Sequence, residues 1–185
     1  MVRKFLLVVG FVAALFAQEK SFELIGVNNE KLHITIKKNG IEVKEYPNRV
    51  IILDFFGKNC PPCKAEMPIL GDLQKRLKDK LQIIGLHVQR PLSKSDLEEP
   101  KRRGINYPIF DYLPVPQNQE FVEFIGRLTG WSGSIPFMLF FDREGTYAGY
   151  HLGMADEKSL EKFIDKLYTV QKTSNGSKEH NTTKK

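Results

Sequence analysis

The stretch Arg49-Val-Ile-Ile-Leu-Asp-Phe-Phe-Gly-Lys-Asn-Cys60-Pro-Pro-Cys63-Lys-Ala-Glu-Met-Pro68 decides the fold. Val50 to Phe56 is apolar at both alternating sets of positions except for Asp54, the pattern of a central strand covered on both faces. The period then changes. Met67, Leu70, Leu73 and Leu77 recur at helical spacing, and Pro61 suits a first helical turn, so a helix is expected over Cys60 to Lys80. Pro68 lies inside it, lacks the N–H and crowds the carbonyl of Lys64, which predicts a kink. Cys60 and Cys63, the only two cysteines of the chain, fall at the strand-to-helix turn. They can close a disulfide only with each other, and so small a ring constrains little of the unfolded chain. The spacing suits a reversible two-electron switch better than a structural staple.

Working outward, Leu32-His-Ile-Thr-Ile36 alternates as a half-buried strand does, and turn residues Lys38-Asn39-Gly40 lead to a returning strand at Ile41-Glu-Val43. Leu81 to Val88 reads as a second buried strand. A short helix is expected over Ser95 to Arg103, ended by Gly104, and a short extended piece over Tyr107 to Tyr112. Glu120 to Thr129 carries Phe121, Phe124, Ile125 and Leu128 on one helical face. Phe137 to Asp142 turns at Arg143-Glu-Gly145 into Thr146 to Leu152 as a hairpin. Asp156 caps a last helix running to Val170, with Leu160, Phe163, Ile164 and Leu167 inward. This order predicts an α/β fold in three layers, α/β/α, with a central mixed sheet and an N-terminal β-hairpin extension.

The ends differ from the body. Arg3 and Lys4 precede an apolar run from Phe5 to Phe16 and then Ala17-Gln18-Glu19, the make-up of a secretory signal over residues 1–17. Leu15 is not the small residue favoured three positions before a cut, which keeps an uncleaved N-terminal membrane anchor open as the alternative. Residues 171–185 hold no large apolar side chain and are expected to form a disordered basic tail behind a domain of residues 18–170. Of the net charge of +6, Arg3 and Lys4 carry +2; Lys172, Lys178, Lys184 and Lys185 against Glu179 carry another +3, leaving the body at +1. A near-neutral body has no nucleic-acid footprint. Asn175-Gly-Ser177 and Glu179-His-Asn181-Thr-Thr183 match glycosylation acceptor patterns.

At the dithiol, Cys60 begins a helix, where unpaired N–H groups and the macrodipole favour the thiolate, the form that attacks a disulfide. Lys58 and Lys64 add to this if they point inward. Cys63, one turn in, is expected to be the more buried and to act second, as resolving thiol. Asp54 is an unpaired carboxylate in a buried strand, so its pKa should be raised and it can take and return the proton of Cys63. Glu66, three positions after Cys63 on the same helical face, shares that work. Zinc needs four ligands. There is no second cysteine pair, and His33, His87, His151 and His180 show no ligand spacing. No cofactor or metal enters this reading.

Leu53 to Pro68 resembles the active-site segment of the thioredoxin-like fold, and more narrowly that of the TlpA/ResA-type bacterial periplasmic thiol–disulfide oxidoreductases, whose pattern runs F-W-A-T-W-C-x-P-C-x-x-E-x-P. Cys60, Pro62, Cys63, Glu66 and Pro68 match it. Asp54 instead matches the buried aspartate of thioredoxins proper, and Asn59 replaces the aromatic before the first cysteine. Gly133-Ser-Ile-Pro136 through Asp142 to Gly145 is similar to the family's second landmark. The resemblance implies that Pro136 is a cis-proline facing the dithiol and that Ile135 offers its backbone to substrate. It further implies a cell-envelope reductase of client protein disulfides, fed by a membrane thiol-electron donor, with apocytochromes c as best-known clients. Two other readings stand beside it: a disulfide oxidase or isomerase assisting secreted proteins, and a non-redox envelope binding module on the same scaffold.

Overall fold

The computed structural model describes residues 19–169. The leader, the basic tail and both glycosylation patterns lie outside the described residues.

Two sheets form the body. Strands β1 (Ser21–Ile25), β2 (Lys31–Lys37) and β3 (Gly40–Val43) make an antiparallel sheet in sequence order. The second sheet, from β4 (Val50–Phe56), β5 (Leu81–His87), β6 (Ile109–Asp111), β7 (Phe137–Phe141) and β8 (Tyr147–Leu152), has the order β6-β5-β4-β7-β8. The pairs β4–β5 and β5–β6 are parallel; β4–β7 and β7–β8 are antiparallel. Every residue of β4 and of β5 is buried, as central strands with both faces covered must be.

Helices α1 (Pro61–Arg76) and α4 (Glu157–Thr169) cover one face, and α3 (Pro116–Thr129) with the three-stranded sheet covers the other. The alternation of β4 sorts its side chains accordingly. Val50, Ile52 and Phe56 pack with Met67, Leu70, Leu73, Leu160 and Ile164, while Ile51, Leu53 and Phe55 pack with Phe121, Val122 and Ile125. Asp54 shares the parity of the first set and therefore looks toward α1.

The mixed-sheet α/β architecture expected from the sequence is the one observed. Its N-terminal extension is larger than a hairpin, because Phe22 and Leu24 on β1 bury against the same core as Leu32 and Ile34. The expected helix over 95–103 is a 3₁₀ turn at Ser95–Leu97 followed by α2 (Glu98–Arg102), closed by Gly104 at φ 92°. Helix α3 starts earlier than its apolar stripe, at Pro116, which sits at the position where a missing N–H costs nothing. Asp156 caps α4 through the Ser159 N–H at 2.9 Å. Helix α1 runs unbroken through Pro68. The carbonyl of Lys64, which that proline leaves without an N–H partner, accepts from Arg103 Nη1 at 3.3 Å.

Asn118, fully buried on α3, ties the two sheets together. Its Oδ1 accepts the Ile25 N–H at 2.9 Å, and its Nδ2 donates to the Ile25 and Asp111 carbonyls at 2.8 Å each. Asn118→Ala strands three backbone groups, and urea unfolding should show a loss of about 2–4 kcal/mol. An unchanged midpoint would mean that water reaches this seam.

Candidate active site

The site is built where β4 hands over to α1. Cys60 and Cys63 form a disulfide, with Sγ–Sγ 2.05 Å. Cys60 is the N-cap of α1, and its sulfur accepts the Cys63 N–H at 3.2 Å. Pro61 and Pro62 have no N–H, and that of Lys64 is used by the Cys60 carbonyl at 3.0 Å. The first turn thus aims a single backbone donor at the Cys60 sulfur. Cys60 is 6 % exposed and Cys63 3 %, so in the closed disulfide the two differ less in burial than their order along the helix suggested.

The lysines expected to add positive charge are engaged elsewhere. Lys58 Nζ binds Asp96 Oδ2 at 2.8 Å and the Pro91 carbonyl at 2.9 Å; Lys64 Nζ binds Glu99 Oε2 at 2.8 Å. Neutralised by these carboxylates, they contribute little to ionising Cys60, which leaves that task to the helix terminus.

Both acids picked from the sequence are buried on the α1 side of the sheet, Asp54 at 3 % exposure and Glu66 at 1 %. Burial pushes the Asp54 carboxyl up from its ordinary 3.8 to about 8, helped by the nearby Glu66 charge and opposed by the Tyr107 hydroxyl. Tyr107 Oη donates to Asp54 Oδ2 at 3.3 Å, and Oδ1 has no hydrogen-bond partner among the described residues. Burial and the Asp54 charge hold the Tyr107 phenol far above its usual range, so it remains a donor. Glu66 is also raised by burial, against the pull of the Ala155 N–H, which its Oε1 accepts at 2.7 Å, and of His151. Two buried carboxyls that repel each other titrate as a pair and hold a proton near neutrality.

Sequence reasoning missed the parts that arrive from afar. Tyr107 carries no local signal; it reaches Asp54 because β5 and β6 pair in parallel and Gly85 leaves room for its ring. His87, at the end of β5, accepts the Lys58 N–H at Nε2 (3.1 Å), which puts its proton on Nδ1, 2.9 Å from Asp111 Oδ1. Gln89 Oε1 accepts the Asn59 N–H at 2.8 Å. Together they fix the loop that delivers Cys60. The Ile135–Pro136 bond is cis, and so is Leu113–Pro114, which nothing in the sequence flagged. Pro136 is buried, its carbonyl accepts the Gly153 N–H at 2.9 Å, and Ile135 packs against the core cluster that holds both cysteines.

The AhpC/TSA family model matches residues 20–158. A thiol–disulfide oxidoreductase ResA of Bacillus cereus (strain ATCC 10987 / NRS 248) is 24% identical over 157 residues, 82% of this chain and 83% of that protein. ResA of Bacillus anthracis is 24% identical over 131 residues, 69% and 68% of the two chains. In structure, a thioredoxin-family thiol:disulfide interchange protein from Chlorobium tepidum superposes with TM-score 0.63 at 21% identity, over 80% of this chain and 93% of its own. StoA from Bacillus subtilis superposes with TM-score 0.55 at 15% identity, over 78% and 96%. These likenesses show the thioredoxin-like fold.

Proposed function

The chain belongs to the AhpC/TSA family, and on that footing we propose that it is a thiol–disulfide oxidoreductase of the ResA type working in the reducing direction on client proteins of the cell envelope. The observation that carries the proposal is a dithiol at a helix N-terminus with two buried carboxyls, Asp54 and Glu66, on the same side of the sheet. Cys60 thiolate attacks a client disulfide, forming a mixed disulfide and expelling one client thiolate. Cys63 gives its proton to the Asp54–Glu66 pair and attacks Cys60, closing the ring and releasing the second thiolate. Two electrons pass to the client, and an external dithiol must return them. Pro136 and Ile135 are assigned to the client's extended backbone, an assignment supported by the packing of Ile135 against the cluster that holds both cysteines. A membrane thiol donor, and the leader or anchor of residues 1–17, complete the proposal. Among the described residues no helix is long and apolar enough to cross a membrane.

The first turn of α1 supports this direction. With two prolines and one donor N–H, the Cys60 thiolate is less stabilised than in an oxidant, so the dithiol is the better electron donor. Equilibration with glutathione should place the couple nearer thioredoxin's roughly −270 mV than DsbA's roughly −120 mV, and the protein should reduce insulin. A value above about −180 mV, or refolding of scrambled protein without insulin reduction, would transfer the assignment to an oxidase or isomerase.

A further inference from the structure

The Asp54–Glu66 pair is buried, yet each catalytic turnover must carry a proton between it and solvent. The sheet register shows where the route lies. Asp54 on β4 pairs with Met138 on β7, and Met138 pairs with His151 on β8. These three residues form one row across the sheet, so their side chains share the α1 face, as the packing of Met138 with Cys60 and Cys63 confirms. Asp54 and His151 are thereby two strand spacings apart, about 10 Å. Glu66 comes down from α1 onto this row, anchored by the Ala155 N–H just after β8. His151 is half-buried on the edge strand, where the row meets water. Its Nε2 lies 3.2 Å from the Met154 carbonyl, which can only accept, so the proton of the neutral ring is on Nε2 and Nδ1 is the open base.

We propose that His151 is the proton outlet of the active site, passing the proton of Cys63 from Glu66 to solvent. This rests on the thiol–disulfide exchange reading above. In the resolving step Cys63 is oxidised as its sulfur bonds to Cys60, the client sulfur leaves reduced as a thiolate, and the Cys63 proton goes to the Asp54–Glu66 pair. His151 then takes that proton at Nδ1 and yields it to water; on re-reduction by an external dithiol the flow reverses. Among the described residues, the titratable groups shown to interact along this row are Glu66 from α1, Asp54 from β4 and Tyr107 from the β6 side. The attraction between His151 and Glu66 is consistent with their closeness. An imidazole suits the task because one ring nitrogen can take a proton while the other, held to the Met154 carbonyl, keeps its own.

The test follows a preformed mixed disulfide between Cys60 and thionitrobenzoate, whose release reports the attack of Cys63. His151→Gln keeps an N–H for the Met154 carbonyl but cannot titrate. It should slow release about tenfold or more at pH 6.5–7, with the deficit closing above about pH 8.5, where a thiol ionises unaided. His151→Ala should be slower still and recover with added imidazole. A structural role would give a deficit independent of pH and no rescue, and either result overturns the proposal, as does wild-type release by His151→Gln at all pH values. Should the unaltered protein itself never close Cys60–Cys63, the exchange reading fails before the outlet is at issue.

Discussion

Cys60→Ser should abolish turnover of client disulfides, and Cys63→Ala should stop the reaction half-way with the client still attached. The first change removes the attacking thiolate, and a serine hydroxyl at the same helix N-terminus stays protonated at neutral pH. Loss of a covalent nucleophile lowers turnover by a factor on the order of 1000 or more. The second change leaves the attack intact and removes only the group that releases the product. Acid-quenched mass spectrometry should therefore find the Cys63→Ala protein as a stable adduct with a disulfide-containing peptide, and the Cys60→Ser protein unmodified. Neither variant should fail to fold. The bond joins residues only three apart in sequence, and chain entropy assigns a ring of that size about 2 kcal/mol at most. Full turnover by Cys63→Ala would show that Cys60 acts alone and that the ring is not the product of the cycle.

What the sequence disclosed and what it hid divide along one physical line. Local regularities were legible: the two-sided apolar run of β4, the helical stripe of α1, the Asp156 cap and the dithiol between strand and helix are each encoded within a few residues. Asp54 stood out because a charge in such a strand has no cheap explanation. Contacts set by register were not legible. Tyr107 meets Asp54 across 53 residues, and Arg103 supplies the Lys64 carbonyl across 39. His87 with Asp111 braces the loop before Cys60 only once β5 and β6 lie side by side. Lys58 and Lys64 show the reverse error. Nearness in sequence to Cys60 suggested an electrostatic role, but Asp96 and Glu99, more than thirty residues on, claim both ammonium groups. The sequence identifies the reacting atoms, and the topology decides which groups tune them.

Asp54→Asn should make the protein more stable and a poorer enzyme. The folded protein holds the Asp54 carboxyl at about 8 against an ordinary 3.8. Between about pH 4 and pH 8 the native state therefore keeps a proton that the unfolded chain has lost. Where the unfolded state binds fewer protons, stability falls as pH rises. The stabilising contribution is complete below about pH 4 and gone once the pH passes 8. At pH 7 the two states differ over roughly three pH units, which sets a ceiling of about 4 kcal/mol on the cost of burying this acid. Asparagine is nearly isosteric, still accepts the Tyr107 hydroxyl and has no charge to desolvate, so a gain of about 2–4 kcal/mol is expected at pH 7, shrinking toward zero near pH 4. Urea titrations across that range measure it directly. In the proposed mechanism the same change takes Asp54 out of the carboxyl pair that handles the Cys63 proton, and with Glu66 remaining, release of client thiol should slow roughly tenfold to a hundredfold. Generic damage to a core lowers stability and rate together, so the opposed signs are the diagnostic. A variant that unfolds more readily at pH 7, or keeps the wild-type slope of stability against pH, would show that Asp54 is ionised in the native protein.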